Sequence, residues 1–168
     1  VIVLFLDLPY FVTSSDVGDQ TMIGLIGSYL IAFVVLVGIE LPFVPITMAL
    51  SVALKRAKWI SPFATALLDA LKICLAILFA GWLIRLIGQS PAWLMFLIPG
   101  FFMLRNNIMR IHRVKVGQSN VKLMLEQNGE PGSYDQTHDL WMERGHLIGD
   151  VTGWVIGTNL ILQSASFF

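Results

Sequence analysis

Residues 145–157 read GHLIGDVTGWVIG, with a glycine at every fourth position: Gly145, Gly149, Gly153 and Gly157. A glycine inside a helix costs about 1 kcal/mol relative to alanine in water, so four on one stripe would undo a helix of a soluble domain. In a bilayer the backbone has no water to bond and must satisfy itself, so the helix survives. The missing side chains then let a second backbone approach closely, as small-xxx-small faces do. The stretch therefore predicts a membrane helix with a glycine face for helix packing. Small residues that suit such a face recur elsewhere, as Gly24, Ser28 and Ala32, and as Ala66, Ala70 and Cys74. Packing within the chain is the first expectation, and a second copy of the chain is the alternative partner.

The rest of the chain has the same character. Of its 168 residues 56% are hydrophobic and only 13% charged, with a mean hydropathy of +0.75. Soluble domains run near 25% charged, so about half the expected charge is missing and an integral membrane protein is implied. The formal net charge is zero, which gives no global attraction to nucleic acid. The single cysteine, Cys74, excludes an intrachain disulfide and lies in an apolar run.

Working outward from the glycine stretch, the expected architecture is all-α and polytopic. About three full transmembrane helices are predicted, with a truncated one over residues 1–12 and a short re-entrant or interfacial segment. Met22 to Leu54 is apolar for 33 residues apart from Glu40, Pro42 and Pro45. At 1.5 Å per residue this is about 50 Å, too long for one crossing of a hydrocarbon core of about 30 Å. Residues 22–39 suffice for a span. Pro42 and Pro45 in ELPFVP then break the helix, leaving 43–54 to dip and return or to lie in the interface.

Charge sets the orientation. Residues 13–20 carry two acids and no base, whereas KRAK at 55–58 carries three bases. By the positive-inside rule the first loop is outside and the second cytoplasmic. The next span, 61–88, runs outward, with Trp59 as an interfacial anchor and Trp82 and Arg85 near its far end. Residues 92–104 return inward to the basic run Arg105, Arg110, Arg113 and Lys115. Nine of the eleven Lys and Arg residues fall on the assigned inner side. The expected division is a membrane domain over 1–104, a polar cytoplasmic segment over 105–144 and a C-terminal transmembrane helix over 145–168. Within the polar segment, Ser133 and Gln136 form a capping-box pattern that predicts a short helix over 134–143. Compact loops and a basic inner face point to a bacterial inner membrane, with loops 55–60 and 105–144 cytoplasmic.

Four ionisable residues fall inside apolar stretches: Glu40, Asp69, Lys72 and Asp150. Each costs about 2.5 to 3.5 kcal/mol on insertion, and such residues mark ion or substrate pathways. Asp69 and Lys72 are three apart on one helix and share a face. The topology places the three acids and the base at similar depth, so they are expected to form one cluster. Lys72 neutralises only one acid directly, and the others need a proton, water or a bound cation.

A second polar group, DQTHDLWMERGH at 135–146, holds two acid-x-x-His pairs, Asp135/His138 and Glu143/His146, with Asp139 between them. Carboxylate and imidazole are ordinary ligands for zinc or iron, so a metal ion is the one cofactor these residues suggest. No nucleophile triad, phosphate-binding glycine loop or CxxC pair accompanies them. Three functions are therefore expected. The first is a small integral membrane subunit or scaffold packed through small-residue faces, with the lipid bilayer and a second copy or other membrane subunits as partners. The alternative is a proton- or cation-coupled transporter using the acid and lysine cluster. A metal-dependent membrane enzyme is third.

Overall fold

A computed structural model of the chain describes residues 22–53 and 60–165. The partial N-terminal span (1–12), the acidic loop (13–20), the basic KRAK run (55–58) and Trp59 lie outside the described residues. Among those described, every regular element is helical. In chain order they are α1 (Met22–Gly38), α2 (Glu40–Ala53), α3 (Ser61–Leu86), α4 (Leu94–Lys115), α5 (Asn120–Gln127), a 3-10 turn (Pro131–Ser133) and α6 (Gln136–Ala165).

The helices close around a core drawn from four of them. Ala32 and Leu36 of α1, Ile73, Ala76, Ile77, Ala80 and Ile84 of α3, Met95 and Phe96 of α4, and Ile161 of α6 are buried together. Helix α3 is the hub. It forms the most extensive pairing in the fold with α6 and also packs on α1 and α2. Its inner face includes Asp69 and Lys72, whereas its outer face carries Phe63, Leu67, Leu71, Leu75, Phe79, Trp82 and Leu86, all at least half exposed. This is the reverse of a soluble helix, which turns its charges outward. Helix α1 repeats the inversion, burying Ser28 while exposing Ile23, Ile26, Leu30, Val34 and Val37. A contiguous apolar face of that size marks a surface that meets lipid or another protein. The runs Met22–Ile46 and Ser61–Leu86, of 25 and 26 residues, are long and apolar enough to cross a membrane.

Several expected boundaries move. The segment over 43–54 is helical as far as Ala53 and prolongs α1, from which a single residue, Ile39, separates it. The discontinuity sits ahead of the prolines because a proline ring displaces the carbonyl four residues earlier. For Pro42 that carbonyl belongs to Gly38, where α1 ends. Ile39 still donates to the Val35 carbonyl at 3.0 Å, so α2 follows α1 without an intervening loop. Pro45 stays inside α2.

The span expected over 92–104 does not stop at Leu104. Helix α4 runs through Pro99 and continues through the basic residues to Lys115. The run RNNIMRIHRV (105–114) presents Asn107 and Val114 to the interior and Arg105 and Arg113 to the outside. Likewise, the short helix expected over 134–143 and the separate C-terminal span form one 30-residue helix, α6. Asp135, not Ser133, caps it: the His138 N–H donates to Asp135 Oδ1 at 3.1 Å, while the Ser133 hydroxyl turns back to the Glu130 carbonyl. The boundary between polar segment and apolar helix is thus a change of surroundings along one helix.

The ends of α3 and α4 need glycine. Gly88 (φ +77°) ends α3 and Gly117 (φ +76°) ends α4, both in the left-handed conformation that side chains disfavour. In each the following N–H reaches back, Gln89 to the Ile84 carbonyl at 3.2 Å and Gln118 to the Arg113 carbonyl at 2.8 Å, as in a Schellman cap. At the opposite end of α6, the Arg85 guanidinium donates to the Ile161 carbonyl at 3.2 Å and to the Ser164 hydroxyl at 3.1 Å. Arg85 therefore ties α3 to the last turns of α6.

Candidate functional site: a buried charge cluster

The α3–α6 seam places the site. Gly145, Gly149, Gly153 and Gly157 are all buried and face Pro62, Ala66, Ala70 and Cys74 in turn, one turn of α3 for each turn of α6. A Cβ at Gly145 would sit 2.7 Å from the Pro62 carbonyl oxygen, and one at Gly157 would sit 3.1 Å from Cys74 Cα. At Gly149 and Gly153 the added carbon would collide with the carbonyls of Ala66 and Ala70. The glycines therefore set how closely the two backbones approach. The other small-residue face, Gly24, Ser28 and Ala32, meets different neighbours: Gly24 abuts the Gln89 side chain, and Ala32 joins the core.

Close approach brings the polar side chains of the seam together. Lys72 Nζ lies 3.1 Å from Asp69 Oδ1 and 2.9 Å from Glu40 Oε1. The other oxygen of Asp69 is held by His146 Nδ1 of α6. Asp150, one turn beyond His146, accepts a hydrogen bond from Asn107 Nδ2 of α4 at 2.7 Å. It also lies within electrostatic reach of Asp69, Lys72 and Glu40. Glu40, Asp69, Lys72 and Asp150 are thus neighbours, contributed by α2, α3 and α6. Two further members, His146 and Asn107, are not among the four singled out by their charge.

Exposure varies sharply across the cluster. Asp69 is 1% exposed and Lys72 4%, but Glu40 is 43% exposed. Glu40 is therefore the open end, beside the α1–α2 junction, and Asp69 the sealed end. Asp150 Oδ1 and Asn107 Oδ1 are buried and accept no hydrogen bond. They lie at the end of an apolar groove of about 290 Å3 between α4 and α6.

Formal charges do not cancel here. Three carboxylates face one ammonium and one imidazole, so even a protonated His146 leaves one negative charge uncompensated. Lys72 and His146 are both engaged by Asp69, and Lys72 also by Glu40. Among the described residues the uncompensated carboxylate is Asp150, whose one hydrogen-bond donor is the neutral Asn107 amide. In a low-dielectric interior such a charge is costly, and the cluster gains most from taking up one more cation or proton.

The metal candidates are drawn to separate partners. Asp135 caps α6. Asp139 accepts from the Ser119 and Tyr134 hydroxyls. Glu143 forms a two-point pair with Arg110, at 2.9 and 3.2 Å, that ties α6 to α4. His146 belongs to the charge cluster, and His138 donates its backbone N–H to the Asp135 cap. Among the described residues no three His, Cys, Asp or Glu side chains converge as a metal site would require. Five such residues in a dozen suggest ligands, but a helix fans them over several faces.

His146 escaped notice as a cluster member because its acid-x-x-His spacing offered a competing use. Asn107 carries no charge, and only its place in an amphipathic helix turns it inward. The chain matches no known protein family, and neither the curated proteins nor the solved structures include one similar to it.

Proposed function

We propose that the chain is a membrane-embedded, proton- or cation-coupled transporter, or the ion-binding part of one, with Asp150 as the coupling carboxylate. The observation that carries this reading is the uncompensated buried charge at Asp150, set against the sealed Asp69–Lys72–His146 group and the open Glu40. An ionisable group kept inside an apolar bundle is expensive, and transport is a use that rewards the expense. Binding a cation at Asp150 changes the net charge felt by Lys72 and Asp69, so loading would bias the packing of α3, α4 and α6. The interruption at Ile39 between α1 and α2, beside Glu40, is the feature comparable to the discontinuous helices on which transporters build such sites.

Membrane embedding draws support from the two long apolar helices and from the inverted faces of α1 and α3. In this reading α4 and α6 also cross the bilayer, shielding their polar groups against α3 and against each other. Basic residues on the C-terminal half of α4 would then face the inner, basic side of a bacterial-type membrane.

Reconstitution tests the reading. Vesicles containing the wild-type chain are expected to dissipate an imposed pH gradient or cation gradient faster than empty vesicles. Asp69→Asn is expected to give an assembled, normally eluting protein without that flux, because Lys72 and His146 lose the acid that holds them. A second reading, the small membrane subunit or scaffold, relies on the same α3–α6 seam. It expects no flux from the wild type and full tolerance of Asp69→Asn, so the same experiment separates the two.

A further inference from the structure

The groove between α4 and α6 has a chemistry of its own. Its walls are apolar, built from Leu97, Phe101, Val151 and Trp154, and its polar end consists of Asn107 and Asp150. Asn107 is 1% and Asp150 8% exposed. The Asn107 amide spends an N–H on Asp150 Oδ2 at 2.7 Å. That bond fixes which way both groups point and leaves Asn107 Oδ1 and Asp150 Oδ1 as buried acceptors without donors. Buried polar atoms are nearly always satisfied, so two unsatisfied acceptors at the end of one groove call for an occupant.

Its chemistry follows from theirs. An anion is repelled by Asp150. A bare metal ion would find two oxygens where calcium takes six to eight, and hydrocarbon elsewhere. An ammonium group offers several N–H donors and the missing positive charge, and an attached apolar body matches the walls. Size narrows the choice further, because ligand pockets run from about 300 to 1,000 Å3 and this one, at about 290 Å3, is at the lower limit. A single ring or a short chain fits, and a two-chain lipid does not.

We infer that this groove binds a small lipophilic primary amine, its ammonium donating to Asp150 Oδ1 and Asn107 Oδ1 and its apolar body lying against Phe101 and Trp154. This deepens the transport reading by naming a substrate class, and it rests on Asp150 being the uncompensated carboxylate. The cation that neutralises Asp150 would then be the amine itself or a proton that it displaces.

The test is equilibrium dialysis of tritiated phenethylamine against the purified full chain in detergent micelles, with empty micelles as background. Phenethyl alcohol, the same body without the cation, serves as competitor. One saturable site per chain is expected, unaffected by the alcohol. Asp150→Asn should weaken it by about tenfold or more, the worth of a charged hydrogen bond. Val151→Phe, at a half-exposed wall position away from the charges, should block the groove while the protein elutes as wild type. Non-saturable partitioning alone, or equal binding by the wild type and both variants, overturns the assignment.

Proton flux measured after the same protein is reconstituted into vesicles keeps the two claims apart. Flux that depends on Asp69 with no amine binding rejects the amine and leaves coupling standing. Amine binding that depends on Asp150, without flux, rejects coupling and leaves the binding site standing.

Discussion

Gly153→Leu is expected to separate α3 from α6 and to abolish the folded state in mild detergent, seen as loss of the monodisperse elution peak. The reason is steric and local. Even a methyl group at Gly153 would sit 2.9 Å from Ala70 Cα and 2.9 Å from Ile73 Cβ and would strike the Ala70 carbonyl. These neighbours are backbone and a branched core residue, which cannot swing aside. Overpacking by a methylene or two costs about 1 to 3 kcal/mol, and an isobutyl group against a backbone exceeds that range. Net stabilities of about 5 to 15 kcal/mol leave little reserve.

A graded series makes the prediction sharper. Gly157→Ala meets its closest neighbours at 3.1 Å, so a shift of a few tenths of an ångström accommodates it. Its thermal midpoint should fall only slightly. Gly153→Ala, with the same added volume, should fall much further. Equal effects at the two positions would mean that the seam does not set the helix separation.

The second large effect is expected at Lys72. Replacing it with methionine removes both ion pairs, to Asp69 and to Glu40, in one step. Asp69 keeps only His146 and remains buried. Breaking a buried pair by removing one partner costs about 3 to 5 kcal/mol, because a charge is left without compensation. Lys72→Met should therefore lower the detergent melting temperature strongly. The combined variant Lys72→Met, Asp69→Asn, Glu40→Gln should recover most of the loss, since neutralising a whole buried group is often neutral or stabilising. Recovery of stability without recovery of flux would separate the functional use of the charges from their structural one. A triple variant less stable than Lys72→Met alone would show that the cluster holds the helices together in its own right.

These effects trace back to features of the sequence that are legible for plain physical reasons. A glycine at every fourth residue is too costly to keep unless a backbone lies against it, and the facing small residues at Ala66, Ala70 and Cys74 have the same spacing. Charges inside apolar runs stand out for the same reason of cost, and three apart on one helix is already adjacency for Asp69 and Lys72. What is hidden is what depends on continuity and direction. Nothing in the residues 105–115 distinguishes a basic loop from the charged end of a helix, since both put arginine in water. The join at residue 145 is equally silent, because helix α6 keeps its period while its residues change from polar to apolar. Proline announces a helix disturbance but not its position, which falls at Ile39, displaced by the reach of the ring. Asn107 gives no signal of its own, and its role emerges only where α4 crosses α6.

The most direct test of the central claim is a difference infrared spectrum of the reconstituted protein as the bath is cycled between acidic and neutral pH. A reversible carboxyl band is expected, absent from Asp150→Asn and retained in Glu143→Gln, because the Glu143 carboxylate is already paired with Arg110. A spectrum in which Asp150→Asn matches the wild type would mean that Asp150 binds no exchangeable proton, and proton coupling at this carboxylate would be rejected.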